Sequence, residues 1–168
     1  MKKKLVTIGL VQSKVSPDLD ANLKKTVRMI RLAAKSGAQI ICLQELFRTP
    51  YFPKGRNAKK EKYAETIPGE TTQAMAKLAK ELKIVIIVPL FEKAKNGKYY
   101  NTAVVFNEAG KMVGKYHKTH IPQDPGFYEK DYFEHGQEGY TIFKTKFGTF
   151  AVLYATTSGS QKPRAKLN

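Results

Sequence analysis

Three residues in this chain could move protons or hold charge beside an apolar strand end. Glu45 follows the run "IICLQ", Lys118 closes "KMVGKYHK", and Glu129 lies inside "HIPQDPGFYEKDYFEHG", residues 120–136. A carboxylate just past a buried strand is partly desolvated and suited to accepting a proton. A lysine in a similar place can hold a fixed positive charge against a developing oxyanion. Each also has a plainer reading, Glu45 as a solvated or capping acid and Lys118 as one more surface lysine. The segment 120–136 is dense in Pro, Gly and aromatic residues, which describes a rigid loop lining a pocket better than a linker. His117 and His120 are close in sequence, but no third ligand stands at a fitting spacing, so no metal site is expected. Cys42 sits inside an apolar run and reads as a small buried hydrophobe.

The elements that must position these groups follow from periodicity. Residues 4–12, "KLVTIGLVQ", are β-rich and apolar on both faces, as expected of a strand buried in a sandwich core. In "ANLKKTVRMIRLAAKSGA", Leu23, Val27, Ile30 and Leu32 with Ala33 fall on one helical side, basic residues fall on the other, and Gly37 serves the C-cap. "QIICLQEL" is a short strand whose end reaches Glu45. A polar and aromatic loop with prolines at 50, 53 and 68 follows. Thr71 or Thr72 is expected to cap a second amphipathic helix, "TQAMAKLAKELK", ahead of the apolar strand "IVIIVPLFE". Residues 99–117 read as a hairpin, with strands 99–106 and 111–117 joined by a turn around Glu108 to Gly110. The order β-α-β-α-β-β-β belongs to the mixed α/β class.

Composition narrows the partners. The chain has 168 residues, enough for one domain with a core, and 42% of them are apolar. Its net charge of +16 invites a nucleic-acid reading, with "PKGRNAKKEK" beside Tyr51 and Phe52 as the place for it. The lysines are otherwise scattered over helix faces and loops, so a solvated basic surface is the expected account and no nucleic acid is expected. A single cysteine forbids an intrachain disulfide and suits a reducing cytoplasm. The apolar run after the basic start is short and broken by Gln12 and Ser13. It is therefore read as a first strand and not a signal peptide, and no membrane span is expected.

"LQELFRTPYF", "GKYHKTHIP" and "PGFYEKDYF", in this order and at these distances, resemble the nitrilase, or carbon–nitrogen hydrolase, superfamily. The likeness is greatest to its N-carbamoylputrescine amidase branch and runs from residue 4 to about 153. It implies an α-β-β-α four-layer sandwich, with residues 1–153 as the N-terminal part of the domain. It also implies a Glu-Lys-Cys triad acting on a small-molecule amide or carbamoyl substrate without a cofactor, in chains that form homo-oligomers. Glu45 matches the general base, Lys118 the lysine that stabilises the tetrahedral intermediate, and Glu129 the supporting glutamate.

The nucleophile is where this sequence departs from that pattern. The strand "FGTFAVLY" should deliver a cysteine, yet the corresponding residue is Ala155, followed by two threonines. Taking the third base of each codon with the first two of the next, from Tyr154 onward, permits the string CYDQWFPEAAR. Residues 154–168 are therefore expected to be an out-of-frame tail, and the chain to lack activity by itself. A domain half as long as its family's is further expected to expose strands 84–90 and 148–153, giving low solubility or transient folding. Two other functions stay open: a catalytically dead binding or dimerisation module, and the basic nucleic-acid binder.

Overall fold

The computed structural model describes residues 5–154. One five-stranded sheet, in the order β1-β2-β3-β4-β5, organises the chain. Its strands are β1 (Ile8–Val11), β2 (Ile40–Leu43), β3 (Val85–Lys93), β4 (Tyr99–Phe106) and β5 (Met112–His117). The first three run parallel because helices connect them, and the last three run antiparallel through hairpins. The connecting helices are α1 (Leu19–Lys35) and α2 (Glu70–Leu82). The expected order of elements and the α/β class are both found.

Alternation along the strands separates two cores. Ile86, Val88 and Val104 face Ile30, Met75 and Leu78 of the helices. Val85, Ile87, Ala103 and Val105 face the other way, with Tyr116, beneath Phe143. Phe143 belongs to a small outer hairpin of β8 (Ile142–Lys144) and β9 (Thr149–Ala151). Between β5 and β8 in sequence, a short pair of β6 (Gln123–Asp124) and β7 (Phe127–Tyr128) lies within the expected rigid loop. That loop packs Ile121, Tyr132 and Phe133 against Leu46, Phe52 and Phe91, a third apolar cluster that braces everything beyond the strand ends.

Four expectations need correction. β1 is not buried on both faces: it is an edge strand, with Ile8 62% and Leu10 80% exposed. An apolar run alone does not distinguish a covered strand from an uncovered one. Strand 84–90, expected to be exposed, is the buried centre of the sheet, paired with β2 and β4, whereas β9, in the stretch 148–153, lies on the outside with Thr149 and Ala151 exposed, as expected. On α1, Leu32 is 65% exposed, and Asn22 and Thr26 are buried in its place. The Asn22 side-chain amide donates to the carbonyls of Ser16 and Arg48, a loop-tying role that outweighs its polarity. Neither Thr71 nor Thr72 is the cap of α2: Gly69 holds that position, its N–H donates to Thr72 Oγ1, and the Thr71 N–H donates to Glu65.

Candidate active site

The C-terminal ends of β2 and β5 and the N-terminal end of β4 converge, and polar residues there meet at the edge of the aromatic loop cluster. Just past β2, Leu46 is buried with φ +51, a left-handed conformation that costs a non-glycine residue energy. This turn takes the chain off the sheet directly after Glu45. Lys118 follows β5 and is clamped by its own backbone. Its N–H donates to Asn101 O at 2.9 Å, and its carbonyl accepts from the Gly136 N–H at 2.9 Å.

Glu45, Lys118 and Glu129, the three acid and base residues singled out from the sequence, come together. Lys118 Nζ donates to Glu45 Oε1 at 2.9 Å and to Glu129 Oε2 at 2.7 Å. The Lys118 and Glu129 side chains are each 3% exposed, whereas Glu45 retains 35%. Two further residues complete the set: Asn101, which the sequence reading did not single out, and Tyr51, which it named only beside the basic stretch. Asn101 Nδ2 donates to Glu45 Oε1 at 2.6 Å, and the Tyr51 hydroxyl donates to Glu129 Oε1 at 2.8 Å. Both oxygens of Glu129 are thus engaged. Glu45 takes its two donors on one oxygen, and among the described residues no hydrogen bond engages its Oε2. That oxygen is available to a proton.

Burial dominates the electrostatics. It pushes the Glu129 carboxyl up despite the opposing bonds from Lys118 and Tyr51. Burial, reinforced by the bond to Glu129 and by the charges of Glu129 and Glu45, raises the Tyr51 hydroxyl far above its ordinary range. It also raises the thiol of Cys42, a half-buried residue on β2 whose Sγ lies 3.6 Å from Leu43 O. Two carboxylates sharing one ammonium can accept and return a proton beside a fixed positive charge.

Tyr154, the last described residue, brings the chain to this place. Lys118 Nζ lies 5.7 Å from its ring centroid, and its ring stacks on Tyr116. The Tyr154 hydroxyl is buried with no partner among the described residues. Ala155, the residue expected at the nucleophile position, lies outside the described residues, as does the rest of the expected tail.

His117 belongs to a different cluster. Alternation sends it to the helix side of the sheet, where Nε2 is 2.9 Å from Glu92 and Nδ1 is 2.5 Å from Glu138. Tyr100 stacks on its ring at 4.2 Å. Buried Glu92 also accepts from Thr102 at 2.8 Å and Lys115 at 2.5 Å. Burial opposes its ionisation, but these three donors outweigh that and hold the carboxyl at about 2. Among the described residues no group of three or more His, Cys, Asp or Glu is placed to hold a metal, and no helix is long and apolar enough to cross a membrane.

Known proteins resemble this chain in sequence and fold. A profile of the carbon–nitrogen hydrolase family matches residues 7–159. The N-carbamoylputrescine amidase of Solanum lycopersicum is 38% identical over 152 residues, which are 90% of this chain and 50% of that protein. The beta-ureidopropionase of Arabidopsis thaliana is 32% identical over 159 residues, covering 89% of this chain and 39% of the relative. Among solved structures, a carbon–nitrogen hydrolase from Helicobacter pylori G27 superposes with a TM-score of 0.79 at 33% identity, over 86% of this chain and 49% of the other. The chain spans about half the length of the relatives it matches, or less.

Proposed function

The chain belongs to the carbon–nitrogen hydrolase family, and on that premise we propose that its polar site activates a thiol for attack on a small linear amide or carbamoyl compound. The observation that carries this is the buried ammonium of Lys118 bridging Glu45 and Glu129. In this reading Glu45 Oε2 takes the thiol proton, and the thiolate attacks the substrate carbonyl. Lys118 stabilises the resulting oxyanion, while Glu129, braced by Tyr51, holds Lys118 in place. Glu45 returns the proton to the departing nitrogen, so ammonia leaves and a thioester remains. Water, deprotonated by Glu45, then hydrolyses the thioester and frees the thiol.

N-carbamoylputrescine is the proposed substrate, giving ammonia and a carbamate that breaks down to putrescine and carbon dioxide. This choice follows the sequence motifs and the greater identity to the tomato amidase than to the beta-ureidopropionase. The working enzyme is proposed to be a cytoplasmic homo-oligomer.

Residues 1–153 are proposed as the N-terminal part of the hydrolase domain, and residues 154–168 as an out-of-frame tail. Alanine at 155 gives the route no first step, so this chain is proposed to be inactive by itself. Cys42 does not replace the missing thiol, because it lies on β2 three residues before the proposed base.

The nucleotide sequence is the decisive test. Codons 154–164 should read CYDQWFPEAAR in the shifted frame, and any other string there rejects the tail proposal. Ammonia release from N-carbamoylputrescine, absent from this chain and present once the frame is restored, tests the activity. A second reading, a binding module without turnover, is favoured by the assembly of the charged site in a chain without the thiol. It expects N-carbamoylputrescine to raise the melting temperature while no ammonia appears.

A further inference from the structure

Asn101 is fully buried near the N-terminal end of β4, on the face that carries Ala103 and Val105. Its Nδ2 donates to Glu45 Oε1 at 2.6 Å, the oxygen that also accepts from Lys118. Reversing the side-chain amide would set its oxygen against the carboxylate, so the nitrogen must face Glu45. The other end of that amide, Oδ1, is buried with no hydrogen-bond partner among the described residues. A buried carbonyl left unpaired is costly, and such groups in native proteins usually have a partner to meet. An amide's oxygen and nitrogen are about 2.2 Å apart, which keeps Oδ1 within about 5 Å of Glu45 Oε1. A spare acceptor is therefore held at the site itself.

We infer that Asn101 is a substrate-binding residue of this site, its Oδ1 accepting an N–H from the nitrogen of the bound amide or carbamoyl group. The inference rests on the amide-hydrolase reading. It adds the means by which the site distinguishes substrate from product. The departing nitrogen brings N–H donors, whereas the carboxylate oxygen that takes its place in the product brings only acceptors and meets Oδ1 with like polarity. A site built to pair an N–H rejects the analogue that lacks it, because its own group is then left unpaired. With Nδ2 fixed on Glu45, the same side chain ties the position of the base to that of the nitrogen it must protonate.

The test compares propionamide with butan-2-one, which has the same shape but a methyl in place of the NH2. Saturation-transfer NMR on the full chain should show propionamide binding about tenfold more tightly. Asn101→Ala and Asn101→Ser should abolish that preference, and propionic acid should bind least well to the unaltered chain. A second measurement needs no variant: the Asn101 side-chain carbonyl carbon should shift on adding propionamide and stay in place with butan-2-one. Preference retained in a folded Asn101 variant overturns the inference, as does a carbonyl signal that propionamide does not move. Propionamide binding without that signal change leaves the amide-site reading standing. Failure of both compounds to bind overturns the reading and the inference together.

Discussion

Lys118 carries one positive charge for two carboxylates, and among the described residues both hydrogen bonds of its ammonium go to acids. Removing it leaves buried Glu129 uncompensated. Lys118→Met should therefore cost about 3–5 kcal/mol in urea unfolding. Adding Glu129→Gln should recover part of that loss; a single-variant cost below about 1 kcal/mol would mean the pair is solvated. Glu92 makes a pH prediction. Its carboxyl is held at about 2 against an ordinary 4.5, so the stabilisation is fully present above that ordinary value. It is lost as pH falls from about 4.5 toward 2, a loss of about 3 kcal/mol. Glu92→Gln should be less stable at pH 7 and should lose less between pH 5 and pH 2.5. Tyr154→Phe removes a buried hydroxyl with no partner among the described residues and should leave thermal stability unchanged or raise it by about 1 kcal/mol. At this scale Glu45, Lys118 and Glu129 were legible because each stands in a distinctive local string. Asn101 and Tyr51 were not, since their partners lie 56 and 78 residues away and nothing local distinguishes them.

Among the elements, the loop after β5 has the narrowest tolerance. A side chain at Gly136 would place its Cβ 2.3 Å from His117 O, and the Gly136 N–H holds the carbonyl of Lys118. Gly136→Ala should shift the strand end that carries Lys118 and cost about 2 kcal/mol or more, measured by thermal unfolding. An equal substitution at Gly126, where a Cβ meets nothing within 4 Å but φ is +83, should cost about 1 kcal/mol through backbone strain alone. The strands and helices were legible because apolar period and turn residues agree along most of the chain. The capping of α2 was not, because the acceptor for the Thr71 N–H is Glu65, which lies before the turn at Gly69. The exposure of Leu32 was hidden for a related reason, that period reports which residues share a face and not which face the fold covers.

For the molecule as a whole, the open edge is β1, where Ile8 and Leu10 project from the sheet with little covering them. An exposed apolar edge pairs with other chains. Leu10→Lys should raise the monomer fraction in sedimentation at micromolar concentration, with no change in far-UV dichroism. An unaltered association state would place the sticky surface elsewhere. The mixed α/β class was legible from the order of the elements, but the open side of the sheet was not, because burial is settled by what packs on a strand. The site also orders the events of folding. Lys118 and Glu129 are 11 residues apart, while Lys118 and Glu45 are 73 apart. Closing the longer loop costs about 1.7 kcal/mol more in chain entropy. Lys118 can therefore find its silent partner, Glu129, within one local turn. The other partner, Glu45, joins only when the parallel strands have registered, so a chain with a misplaced β2 holds a neutralised lysine without its proposed base.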